Sequence, residues 1–131
     1  MAWHVLAIDD DTNACKKYRK VLRGKGFRVK TAGTSFEVLA RLDGVPPDLV
    51  LLDVGMQDQS GWDTLRTMRD TAEWEDVPVL IVTELGNLKS VSQGWELGCT
   101  RYLHKPFDAD YLESAVGDIL SERHSLLKRA H

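Results

Sequence analysis

The sequence predicts an α/β fold, a five-stranded parallel sheet in strand order 2-1-3-4-5 with helices on both faces, and three observations carry that prediction. Short apolar runs, Trp3-His4-Val5-Leu6-Ala7-Ile8, Leu49-Val50-Leu51-Leu52 and Val77-Pro78-Val79-Leu80-Ile81-Val82, have the length of strands buried on both faces. Amphipathic stretches with helix-cap residues separate them, and five such alternations give parallel strands joined by crossover helices. The runs also end on chemistry-bearing residues, which is where ligands bind in open sheets of this kind.

At 131 residues, the chain suits one domain with a proper core. Its 43% hydrophobic and 28% charged composition is ordinary for a globular protein, and a net charge of -3 argues against a general nucleic-acid binder. No apolar run reaches membrane-spanning length, and Met1-Ala2-Trp3-His4 lacks the charged start of a secretory signal, so a cytoplasmic location is expected. Cys15 and Cys99 have no neighbouring ligands at metal-binding spacing and read as reduced thiols.

The first strand ends on Asp9-Asp10-Asp11. Thr12 and Asn13 are N-cap types for a helix to Arg23, which turns Ala14, Tyr18, Val21 and Leu22 inward and stops at Gly24 and Gly26. Phe27-Arg28-Val29-Lys30-Thr31 alternates as a half-buried edge strand does. Thr34-Ser35-Phe36-Glu37 forms a capping box for a short helix with Val38, Leu39 and Leu42 inside. The central strand then runs to Asp53, a loop covers 54–59, and Ser60 with Asp63 caps a helix through Leu65 and Met68. The strand from Val77 ends on Thr83. A helix over 87–97 contains Ser90, Val91, Ser92 and Gly94, poor helix formers, and should be the least stable. Thr100-Arg101-Tyr102-Leu103-His104 is the fifth strand, and Asp108 caps a last helix burying Leu112, Val116, Ile119 and Leu126.

This order places the first and third strands side by side and gathers Asp9, Asp10, Asp53, Thr83 and Lys105 at one sheet end. Crowded carboxylates raise one another's pKa unless a cation relieves them, and Mg²⁺ is held by one or two carboxylates plus a phosphate oxygen. A hydroxyl and an ammonium opposite such an ion make a cage for a phosphoryl group, with Asp53 as the nucleophile.

Ile8-Asp9-Asp10, Leu51-Leu52-Asp53, Gly61, Val82-Thr83, Leu97-Gly98, Tyr102 and Lys105-Pro106-Phe107 together resemble the response-regulator receiver domain of two-component signalling, a flavodoxin-like (βα)5 fold. The resemblance implies a receiver domain over 1–122, with 123–131 as a helix extension or tail. It implies that Asp53 takes a phosphoryl group from a histidine kinase or histidine phosphotransfer protein, and that Lys105 and Thr83 hold the phosphoryl oxygens. Asp10, Asp53 and the Gly55 carbonyl would bind Mg²⁺, Asp9 acting mostly through water, and Lys105-Pro106 would be cis. Thr83 and Tyr102 would switch the face made by the 87–97 helix, the fifth strand and the last helix, controlling a downstream protein target and a possible homodimer. Such a domain is no enzyme beyond its own phosphorylation and dephosphorylation.

Two departures bear on rate. Glu84 stands where receivers carry a small residue, and Met56-Gln57 replaces the usual Met-Pro. Glu84 supports an alternative, a receiver-like interaction module independent of phosphorylation. A dehalogenase-type phosphatase would need Asp-x-Asp-x-Thr, which Asp9-Asp10-Asp11-Thr12 misses by one position. Eight Lys or Arg residues between Lys16 and Lys30 read as a solvated face, or as a surface steering an acidic partner.

Overall fold

Leu49–Leu52, the third strand (β3), is buried along its whole length, as its unbroken apolar composition requires. In the computed structural model of the chain it lies at the centre of a parallel sheet ordered β2-β1-β3-β4-β5. The structure describes residues 3–34, 37–38, 44–55, 61–84, 96 and 98–129. The other strands are β1 (His4–Ile8), β2 (Arg28–Ala32), β4 (Val79–Thr83) and β5 (Arg101–His104). The predicted strand order is therefore correct, with β2 at one edge and β5 at the other.

Successive strand residues point to opposite faces, so the sheet builds two core layers. On one face Leu6, Ile8, Val50, Leu52 and Ile81 pack with Leu65 and Met68 of α2 (Gly61–Arg69) and with Trp74. On the other, Val5, Ala7, Leu49, Leu51 and Leu80 pack with Tyr18 and Leu22 of α1 (Thr12–Arg23) and with Leu112, Val116 and Ile119 of α3 (Ala109–Arg129). Each fully buried aliphatic side chain contributes about 1.5–3 kcal/mol.

Several boundaries move for physical reasons. Asp11 caps α1, its carboxylate accepting from the Asn13 and Ala14 N–H groups, so the cap falls one residue before the expected Thr12. Phe27 precedes β2 because its N–H donates to the Leu22 carbonyl at the helix end, and Gly26 supplies the positive φ of 89° that the turn needs. Val77 is held in a turn by its N–H bond to the Trp74 carbonyl, so β4 starts at Val79. Thr100 precedes β5, bracketing Val79 through its N–H and its Oγ1.

Two caps stand as expected: Thr34 Oγ1 accepts the Glu37 N–H at 3.3 Å, and Asp108 Oδ1 accepts the Tyr111 N–H at 2.7 Å. Leu126 is 57% exposed and not inward-facing, because the apolar stripe of α3 leaves the core after Leu120. The expected Ser60 cap and most of the helices expected over 34–43 and 87–97 lie outside the described residues. Among the described residues no helix is long and apolar enough to cross a membrane.

Candidate functional site

The ladder places the site. Ile8 pairs with Leu52, and the pairing runs one step further as the Asp53 N–H donates to the Ile8 carbonyl at 2.9 Å. Asp9 and Asp53 therefore emerge side by side at the carboxyl ends of β1 and β3. Oxygens of Asp9, Asp10 and Asp53 lie within 4.8 Å of one another.

Asp9 is 1% exposed and well held. Its Oδ1 accepts the Asp11 N–H at 2.9 Å, and its Oδ2 accepts the Tyr18 hydroxyl at 2.8 Å and the Lys105 ammonium at 2.7 Å. Cys15 donates its thiol to the Asp9 backbone carbonyl at 3.3 Å. Asp53 Oδ1 accepts the Gly55 N–H at 2.8 Å, while Oδ2 lies 3.4 Å from the Lys105 ammonium. Lys105 thus leans on Asp9 more closely than on Asp53, and its bond to Pro106 is cis, as expected.

Burial pushes the Asp53 carboxyl above the usual carboxylate range and Asp9 pushes it further, against the Gly55 N–H and Lys105. Burial alone would lower Lys105, but the hydrogen bond and charge of Asp9, then those of Asp53, outweigh it and hold the ammonium above its ordinary value. Burial and Asp9 likewise push up both the Tyr18 hydroxyl and the Cys15 thiol, which keeps them as donors. Among the described residues, Asp9, Asp10 and Asp53 gather where the Lys105 ammonium pairs with Asp9 and Asp53. A hard divalent cation with oxygen ligands fits that donor set.

The structure brings together Asp9, Asp10, Asp53 and Lys105, with Gly55 in the turn after Asp53. Thr83 ends β4 in register with His104, one residue from Lys105. The role expected for its hydroxyl, and those of Met56 and the 87–97 helix, lie outside what is described. Glu84 is exposed on the bend after β4. Tyr102, partly buried on β5, packs against the α2-side core, and burial, Cys99 and Asp53 raise its hydroxyl pKa.

Sequence reasoning assigned Tyr18 only to the core and missed its hydroxyl on Asp9. The one available signal is a polar-tipped aromatic in an otherwise apolar stripe. Gly61 acquires a reason: a Cβ there would lie 2.3 Å from Val54 Cα and 2.8 Å from the Asp53 carbonyl oxygen, so glycine lets α2 start against the Asp53 turn.

Residues 5–117 match the family model described as the response regulator receiver domain. Response regulator Rre1 of Synechocystis sp. is 31% identical over 91% of this chain and 52% of its own length. Transcriptional regulatory protein ZraR of Escherichia coli K12 is 32% identical over 93% of this chain and 27% of its own. The chain thus spans about half the length, or less, of these curated relatives. Among solved structures, the BeF3-activated receiver domain of DrrB, from Thermotoga maritima, superposes with a TM-score of 0.83 at 33% identity, covering 92% of this chain and 99% of that one.

Proposed function

This chain belongs to the response regulator receiver domain family of two-component signal transduction, and from that premise we propose that it accepts a phosphoryl group on Asp53. The observation that carries the reading is the meeting of Asp53 with Asp9, Asp10 and Lys105 at the carboxyl ends of parallel strands.

The donor is the phosphohistidine of a histidine kinase or histidine phosphotransfer protein. An Asp53 carboxylate oxygen attacks phosphorus, the new P–O bond forms as the P–N bond breaks, and the electron pair returns to the imidazole nitrogen. Asp10, Asp53 and the Gly55 carbonyl would hold Mg²⁺, with Asp9 acting through water. When bound, the ion neutralises charge on the transferring oxygens. Lys105, released from Asp9, and the Thr83 hydroxyl hold those oxygens in turn. Thr83 and Tyr102 then change the face around β5 and α3, and with it affinity for a downstream protein. The alternative, an interaction module that works without phosphate, rests on Glu84, exposed on the bend after β4; the complete set of Asp9, Asp10, Asp53, Thr83 and Lys105 argues against it, since a module that only binds has no need of all five.

Intact-mass spectrometry after incubation with Mg²⁺ and acetyl phosphate tests the reading. The expected result is one Mg²⁺-dependent phosphate adduct that Asp53→Asn abolishes. No adduct with small donors or with a panel of histidine kinases would overturn it.

A further inference from the structure

Tyr18 is 1% exposed and spends its hydroxyl on Asp9 Oδ2, the oxygen that also accepts Lys105. A carboxylate oxygen has about two lone-pair sites, so tyrosine and lysine between them fill this one. The phenol ring is held from behind. It stacks on Phe107 with centroids 5.9 Å apart and planes 4° from parallel. Phe107 is itself fixed by Lys17, whose ammonium donates to the Phe107 carbonyl and lies 4.4 Å from the ring centroid. A rigid phenol therefore reaches from α1 to a buried carboxylate whose other oxygen is tied to the Asp11 N–H.

Without the hydroxyl, Lys105 alone would answer Oδ2. The ion pair would close, turning the carboxylate toward the ammonium and out of its present orientation beside Asp10. We propose that Tyr18 is a positioning residue for the cation site: its hydroxyl holds the Asp9 carboxylate facing Asp10 and Asp53 and shares its charge, leaving Lys105 releasable. This rests on the Mg²⁺ reading given above. Removing a hydrogen-bond partner of a direct metal ligand commonly changes metal affinity about 10–100-fold, and because Asp9 acts on the ion through water the low end of that range applies to Tyr18.

Calorimetric titration of the full chain with Mg²⁺ is the test. Tyr18→Phe keeps the ring and its stacking and removes one oxygen. The dissociation constant should rise about tenfold. In an Asp9→Asn background the same substitution should change it less than about twofold, since Tyr18 then has no carboxylate to position. A merely structural role would cost the same in both backgrounds, and that result, or an unchanged affinity in Tyr18→Phe, overturns the proposal alone. A wild-type chain that binds no Mg²⁺ overturns the cation reading and this proposal together.

A measurement on the wild type does not depend on how the variant folds. With 3-fluorotyrosine at the three tyrosines, assigned by elimination with Tyr102→Phe and Tyr111→Phe, the Tyr18 fluorine resonance should move with the Mg²⁺ binding midpoint. A resonance unmoved at saturation overturns the proposal.

Discussion

The two ends of the sheet bring charge under the surface in opposite ways. At the carboxyl end, among the described residues, Asp9, Asp10 and Asp53 gather, with the Lys105 ammonium against Asp9 and Asp53. At the other end Arg69, closing α2, faces backbone carbonyls. Its guanidinium donates to Glu75 at 3.0 Å, Val77 at 2.8 Å and Gly98 at 2.7 Å, with a longer contact to Trp74 at 3.5 Å. A planar fork of N–H groups met by fixed carbonyls needs no external ion. The acid end gathers Asp9, Asp10 and Asp53 about Lys105, a donor set that a hard divalent cation fits. One end is a clasp joining α2, the turn before β4 and the approach to β5, and the other is a site.

The clasp should break first and cost most. Arg69→Ala removes several charge-assisted hydrogen bonds at once and strands carbonyls from segments far apart in sequence. Denaturant unfolding should show a loss of about 3 kcal/mol, with Mg²⁺ affinity unchanged. Arg69→Lys keeps the charge but cannot span the carbonyls, and should recover less than half of that. A loss below about 0.5 kcal/mol for the alanine variant, the range of an ordinary surface change, would mean the clasp does not hold the fold.

The acid end should respond in the other direction. Because the folded state raises the pKa of Asp53, folding favours its protonated form. Its stabilising contribution is therefore complete below the unfolded pKa and lost as pH rises through the folded one. At neutral pH Asp53→Asn should stabilise the metal-free chain by about 1 kcal/mol, the scale of one carboxylate pair at this range in a water-like medium. The gain should fade in acid and shrink when Mg²⁺ is added to the wild type. A gain over the wild type no larger at pH 7 than at pH 3 would remove the contrast between the two ends.

The acid end was far more legible in the sequence than the clasp. Strands buried on both faces write themselves as apolar runs, and in a parallel sheet the residue after each run is committed to one rim, so Asp9, Asp53, Thr83 and Lys105 could be placed from spacing. What the spacing could not give was the choice among partners. The stripe of α1 shows that Tyr18 points inward, but not that its hydroxyl meets Asp9, because that depends on how far the helix lies along β1. Arg69 looks like any basic residue at a helix end, since its acceptors are backbone atoms that leave no trace in sequence. The basic run divides in the same way. Lys17, Arg19, Arg23 and Lys25 make contacts with Phe107, Thr31, Val29 and Glu113, while Lys16, Lys20, Arg28 and Lys30 are exposed. Leu126 misled because a helical period continues after the sheet beneath it has ended.

The smallest expected effect probes how far the clasp's charge reaches. Cys99 is 6% exposed, and burial pushes its thiol from 9.0 up to about 11, although Arg69 pulls it down. A raised folded-state value means that the thiol's contribution is whole below pH 9 and is lost as pH climbs toward about 11. Other groups titrate there too, so the informative quantity is the difference between wild type and Cys99→Ala followed across that window. The wild type should lose stability faster than the variant as pH rises. Iodoacetamide should label Cys99 in the native chain far more slowly than in the unfolded one, because the thiolate is the nucleophile. Adding Arg69→Lys separates the parts played by charge and by the fork: retained charge with broken carbonyl bonds should leave the pH at which Cys99 labels nearly where it was. A large upward move would show that the guanidinium acts on Cys99 by holding Gly98 in place, making the clasp a geometric device and not an electrostatic one.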